Sequence, residues 1–125
     1  MECYCDYELP SAYSARVVTA RKSHACEECG RIIEPGEQYE RAGGIWQDEP
    51  RTYKTCQHCL ELRKFVEAHI PCFCWGHGNM IQDARGTLEA LTWETSDTAG
   101  VLFGAGRRLV AIRRERQRKG RAPHR

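Results

Sequence analysis

The chain has 125 residues, of which 41% are hydrophobic and eight are cysteines. A protein of this size supports one compact domain, and so many cysteines predict that disulfides or metal ions stabilise its small core. No run approaches the ~18 apolar residues of a membrane span, which argues against a membrane-spanning protein.

The net charge of +2 conceals a strong asymmetry along the chain. Residues 1–106 contain 10 basic and 16 acidic residues, a balance of −6, whereas residues 107–125 contain 9 basic and 1 acidic residue, a balance of +8. A basic end on an acidic body indicates contact with a polyanion or an acidic partner. The alternative is a solvated tail that serves only solubility.

The beginning of the chain, MECYCDYELPSAYSARVV, carries early acidic residues and no apolar core of a signal peptide. This pattern predicts a cytoplasmic protein whose thiols are reduced. In that compartment paired cysteines bind metal more often than they form disulfides.

The first half of the chain predicts strands followed by one helix. A short strand is expected at 14–19, and a β-hairpin pairs EQYERAGGIW (37–46) with RTYKT (51–55), with a bulge at Gly43 and Gly44. From Cys56 the apolar residues recur at helical spacing, and Pro71 ends that helix.

The second half predicts a helix over 79–94 and a short hairpin over 100–114, with its turn at Gly104-Ala-Gly106. The chain then divides into a two-zinc domain (1–78), a helix with a short hairpin packed on it (79–112), and a flexible basic tail (113–125). The expected fold class is α+β.

Two Cys-x-x-Cys pairs predict a structural zinc site formed by Cys26, Cys29, Cys56 and Cys59. Zinc in such sites takes four ligands in a tetrahedron, and each pair brings two thiolates to one ion. The second pair opens the predicted helix, whose N-terminal dipole favours thiolate charge. A redox-active Cys-x-x-Cys is the alternative, but it requires a βαβ context that this sequence lacks.

The other four cysteines, Cys3, Cys5, Cys72 and Cys74, form two Cys-x-Cys pairs and predict a second structural zinc ion. His77 could replace one of these cysteines as a ligand. Disulfides, or free cysteines in the core, are the alternatives.

Sites closed by four thiolates leave no coordination position for a catalytic water, and no nucleophile with a matching base is evident. The sequence therefore predicts a non-catalytic binding module without a small-molecule substrate.

Nucleic acid is the first partner expected, because arginine suits bidentate contact with phosphate. A host or phage protein is the alternative, bound by an acidic face around the first zinc site that contains Glu34, Glu37 and Glu40. The candidate nucleic-acid-binding residues are Arg107, Arg108, Arg113, Arg114, Arg116, Arg118, Lys119 and Arg121.

Four aromatic residues, Trp46, Tyr53, Trp75 and Trp93, are candidates for stacking on bases. Packing within the core or between neighbouring strands is the favoured alternative for each of them.

The Cys-x-x-Cys-Gly knuckle, the Pro-Gly-Glu-x-Tyr strand and the Thr-Cys-x-x-Cys-Leu helix start resemble small treble-clef zinc-finger proteins of bacteriophages and prophages. The resemblance covers roughly residues 1–78 and includes the flanking Cys-x-Cys pairs. It implies a treble-clef fold, the ligands Cys26, Cys29, Cys56 and Cys59, and a phage origin. It does not choose between nucleic acid and a host protein as the partner.

Overall fold

The computed structural model describes Cys5, residues 7–91 and residues 98–120. Their elements in chain order are strands β1 (Ser11–Thr19), β2 (His24–Ala25), β3 (Ile32–Ile33), β4 (Gln38–Trp46) and β5 (Glu49–Cys56), then helices α1 (Gln57–His69), α2 (Met80–Ala90) and α3 (Thr98–Lys119). This composition confirms the α+β class. Among the described residues, no helix is both long enough and apolar enough to cross a bilayer.

Strands β1, β4 and β5 form an antiparallel sheet with β4 in the centre, and β2 pairs with β3 in a separate small ladder. The predicted hairpin is thus confirmed as β4 and β5. In its two-residue turn, Gln47 and Asp48 have φ values of 51° and 66°. Two successive left-handed residues give a turn whose twist matches that of the adjacent strands.

The predicted bulge at Gly43 and Gly44 is wrong in its position. Both glycines pair continuously with β5, and the irregularity lies in the edge strand β1 between Ser11 and Ser14. There Ala12 has a φ of 51°, so β1 carries the extra residue opposite Gly44.

The core lies between the Cys-x-x-Cys turn at residues 26–30 and the three helices. Helix α1 buries one face against β4, β5 and α3, with Leu62 and Val66 fully inaccessible. The predicted helix at 79–94 is confirmed over Met80–Ala90, where Met80 and Ala84 complete the core.

The predicted hairpin at 100–114 is wrong, because this segment lies within the 22-residue helix α3. Ala105 and Ile112, spaced by two helical turns, are buried on its inner face. Packing against α1 outweighs the low helix propensity of its glycines. The predicted flexible tail is also wrong as far as Lys119, since α3 continues to that residue.

Candidate metal centre and nucleic-acid interface

The first Cys-x-x-Cys pair lies in a tight turn between β2 and β3. Gly30, directly after Cys29, has a φ of 79°, and its N–H donates to the Cys26 carbonyl at 2.9 Å. A side chain would disfavour this positive φ, which accounts for a glycine at this position. The turn directs both thiols of the pair towards the core, where Cys26 and Cys29 are buried.

The second pair lies at the junction of β5 and α1. Cys56 is the last residue of β5 and precedes the helix in an extended conformation, while Cys59 lies in the first helical turn. The backbone N–H of Cys56 donates to the Cys26 sulfur at 3.3 Å, a contact that stabilises a thiolate. The sheet and the helix thus bring the two pairs together.

The geometry of the four buried sulfur atoms fits a tetrahedral metal ion. The Cys26 and Cys59 sulfur atoms are 3.9 Å apart, those of Cys29 and Cys56 are 3.8 Å apart, and all four lie within 4.8 Å of one another. Metal–sulfur bonds of ~2.3 Å in a tetrahedron place the sulfur atoms about 3.8 Å apart. The group could therefore hold one metal ion.

The thiols of this cluster differ in how readily they lose a proton. Thiol hydrogen bonds from Cys26, Cys29 and Cys59 lower the pKa of Cys56, whereas the same network raises the pKa of Cys26 and of Cys59. Metal binding must displace the protons that remain, so metal affinity falls as the pH is lowered.

The second cysteine group has an oxidised form in this structure. Cys5 and Cys74 are joined by a disulfide, and Cys72, whose sulfur lies 3.8 Å from that of Cys74, is disulfide-bonded as well. The sulfur atoms of Cys5, Cys72 and Cys74 lie within 4.8 Å of one another, so the reduced thiols could also hold a metal ion. Cys3 lies outside the described residues. His77 is engaged elsewhere, with Nε2 2.9 Å from the Tyr13 hydroxyl.

Two of the predicted nucleic-acid-binding residues, Arg113 and Arg116, line a groove between α2 and α3. The groove has a volume of about 420 Å³ and borders the buried cysteine cluster at Cys29. Arg85 from α2 lines it as well. We call this set of Arg85, Arg113 and Arg116 the arginine groove. Sequence reasoning missed Arg85, because nothing in the local sequence marks it until α2 is placed beside α3.

The other predicted cations have different surroundings. Arg108 stacks over the Phe65 ring at 4.1 Å, and Arg107 lies 6.0 Å from the Phe103 ring. Arg118 pairs with Glu115 within α3. Of the remaining three cations, Arg114 is exposed, Lys119 pairs with Glu34 and Glu37, and Arg121 lies outside the described residues.

Three of the four aromatic candidates for base stacking lie close together. Trp46, Tyr53 and Trp75 line one cavity on the sheet side of the molecule. Trp93 lies outside the described residues.

The acidic residues around the first cysteine cluster are largely engaged within the fold. Glu40 is buried against Arg63, and Glu37 pairs with Arg31 at 3.1 Å. The Glu28 carboxylate accepts the N–H groups of Gly78 and Met80 at 2.8 Å and 3.1 Å. The predicted acidic face is therefore less available to a partner than the sequence suggested.

Comparison with protein-family models, curated proteins and solved structures found no match to this chain. The geometry of the cysteine clusters and of the arginine groove is therefore what supports a function.

Proposed function

We propose that this protein is a non-catalytic module of the treble-clef type, stabilised by zinc, that binds nucleic-acid phosphates in the arginine groove. The observation that carries the proposal is the convergence of Arg85, Arg113 and Arg116 beside the cysteine cluster. Zinc is the favoured ion because four thiolates in a tetrahedron match its preference.

The groove suits phosphate better than an apolar ligand. Guanidinium groups bind phosphate oxygens in a bidentate manner, and the neighbouring Asn79 and Gln82 add neutral donors. Among the described residues, neither Arg113 nor Arg116 has an acidic partner within ion-pair distance. Glu28 also lines the groove, where its carboxylate accepts the backbone N–H groups of Gly78 and Met80.

A protein partner is the second candidate, in which the module would act as an adaptor or as an inhibitor of a host protein. Its support was the acidic face, and the internal pairing of Glu37 and Glu40 weakens that support. The phage origin that the resemblance implies stays a prediction.

The test is fluorescence anisotropy with a labelled single-stranded oligonucleotide over a range of salt concentrations. The double variant Arg113→Gln/Arg116→Gln should bind more weakly. The slope of log K against log salt should fall by about 0.7 for each phosphate that the variant no longer neutralises.

The control is Arg118→Gln, which removes one positive charge from the same helix and is compared with each single variant, Arg113→Gln and Arg116→Gln. Arg118 is exposed and already paired with Glu115, so this variant should keep a salt slope close to that of the parent protein. Equal weakening by Arg118→Gln would mean that net charge, and not the groove, causes binding. If the parent protein binds no oligonucleotide, the nucleic-acid proposal is wrong and a protein partner becomes the better candidate.

A further inference from the structure

A second cavity, separate from the arginine groove, is walled by aromatic side chains. Tyr13 of β1, Trp46 of β4 and Tyr53 of β5 meet Trp75 and His77 of the loop between α1 and α2. The cavity has a volume of about 560 Å³, within the usual range for ligand sites. We call these five residues the aromatic pocket.

The rings of the aromatic pocket hold one another in fixed orientations. His77 stacks on Tyr53, with centroids 4.9 Å apart and planes at 11°. Trp46 meets Tyr53 edge to face at 87°, and Trp75 meets His77 at 86°. The Tyr13 hydroxyl lies 2.9 Å from His77 Nε2. Such mutual contacts lower the entropy cost of ordering these rings when a ligand binds.

Gly44 and Gly76 have no side chain, and neighbouring aromatic rings occupy the space that a side chain would fill. A Cβ on Gly44 would lie 3.0 Å from the Trp46 ring and 3.2 Å from the Tyr13 ring. A Cβ on Gly76 would lie 2.5 Å from the ring of Tyr7, which also lines the cavity. The backbone beneath the pocket is therefore shaped around its rings, and part of the ring surface stays open, since Tyr13 is 43% exposed.

One ring of the pocket is already covered by a cation of the protein itself. The Arg63 guanidinium already lies over the Trp75 ring, 4.5 Å from its centroid. A second guanidinium, that of Arg51, lies at the rim and is paired with Glu49. The face of Trp75 is thus already occupied by a cation, and the open faces of the other rings can stack on any nucleobase.

The aromatic pocket and the arginine groove share one short loop. Gly76 and His77 line the pocket, and the next two residues, Gly78 and Asn79, line the groove. Consecutive Cα atoms are ~3.8 Å apart, so the two sites adjoin. The loop of residues 76–79 therefore separates the two sites by only a few residues.

We infer that the aromatic pocket takes an unstacked base of a single strand whose phosphates lie in the arginine groove. This inference rests on the proposed function and makes that function more specific. A pocket for an unstacked base selects single strands over duplexes. Bases paired in a duplex do not present their faces to a protein pocket, whereas those of a single strand do.

The experiment compares the full-length zinc protein on two oligomers of equal length and charge. One is a twelve-residue oligothymidylate, and the other is the same deoxyribose-phosphate chain without bases. The oligothymidylate should bind at least about fivefold more tightly, the ratio expected from ~1 kcal/mol of stacking. It should also quench tryptophan fluorescence, because Trp46 and Trp75 line the pocket, and the abasic chain should not.

The variant Tyr53→Leu should remove the preference for oligothymidylate and leave binding of the abasic chain unchanged. Trp46→Leu provides a second test, and zinc content measured by mass spectrometry confirms folding of each variant. The matched control is Phe103→Leu, which removes an exposed aromatic ring from α3, outside the pocket. This control should keep the preference.

The outcomes separate the two proposals. Equal binding of both oligomers, weakened by Arg113→Gln/Arg116→Gln, would overturn the pocket inference and support the groove. Binding of neither oligomer would overturn both proposals. Quenching by a trimethyllysine peptide without quenching by oligothymidylate would identify a cation site and overturn the inference.

Discussion

The Arg63 guanidinium binds both carboxylate oxygens of Glu40, with Nη1 2.8 Å from Oε1 and Nη2 2.5 Å from Oε2. This pair joins α1 to β4 in the interior, where each side chain is only 9% exposed. Arg63 also covers the Trp75 ring, so the same pair positions one wall of the aromatic pocket.

Removing one member of this pair should destabilise the protein strongly. Glu40→Leu leaves a buried guanidinium whose nearest remaining carboxylate is Glu67, 3.7 Å from Nε. We expect a loss of about 3 kcal/mol in the free energy of unfolding, measured by urea denaturation with zinc present. The double variant Glu40→Leu/Arg63→Met should recover most of that loss. If the single and the double variant lost the same free energy of unfolding, the loss would not come from burying an unpaired charge.

Two glycines of α3 should respond to alanine in opposite directions. A Cβ on Gly104 would lie 2.4 Å from the Phe65 ring, which Arg108 and His69 hold in place. We therefore expect Gly104→Ala to destabilise the protein by about 1–3 kcal/mol. A Cβ on Gly106 would meet no atom within 4 Å, so Gly106→Ala should stabilise the helix by up to about 1 kcal/mol. Thermal unfolding of both variants checks this, and stabilisation by both would contradict the close packing of α3 on α1.

The number of bound zinc ions should depend on the redox state. Native mass spectrometry should find two ions per chain under reducing conditions and one under oxidising conditions, because the Cys5–Cys74 disulfide removes ligands from the second group. Cys59→Ser should remove the ion of the buried cluster, and Cys72→Ser should remove only the other. A single ion in the fully reduced protein would leave the second group as a disulfide site.

Protonation of His77 should destabilise the fold at acidic pH. Burial lowers its pKa from the usual 6.5, with the nearby Arg63 adding to the shift and Glu40 opposing it. The unfolded chain thus binds this proton more readily, so stability is lost as the pH falls below about 6.5. Denaturation between pH 7.5 and 5.5 should show a shallower decline for His77→Phe than for the parent. Parallel curves would mean that protonation of His77 does not contribute to the loss of stability at acidic pH. Any loss of zinc would affect both proteins equally.

The elements near the cysteines could be predicted because several local signals agree. Pro35-Gly36 and the pattern after Cys56 mark a turn and a helix, and the structure has both. The first cysteine cluster followed from spacing alone, since two Cys-x-x-Cys pairs leave few arrangements that bury four thiols.

Helix α3 was missed because Gly104 and Gly106 suggested a turn. A helical signal was present in Ala105, Leu109 and Ile112, which recur at intervals of four and three residues. The glycine at position 104 reflects contact with Phe65, which is distant in sequence and therefore invisible to local propensity. Three residues of the aromatic pocket, Trp46, Tyr53 and Trp75, were candidates for base stacking from the sequence. Their meeting with Tyr13 and His77 in one cavity was missed, because those two residues come together only in the folded chain.

The end of α3 returns to the knuckle, where the Gly120 carbonyl accepts the Ile32 N–H at 3.0 Å and Lys119 pairs with Glu34. This contact bears on whether the segment that carries the buried cysteine cluster can fold by itself. A fragment of residues 22–70 would retain Cys26, Cys29, Cys56 and Cys59 but lack the helix that shields one side of α1. Such a fragment should therefore not be a transferable cassette, and we expect a shortened chain that keeps the cysteine cluster folded to extend at least to Gly120.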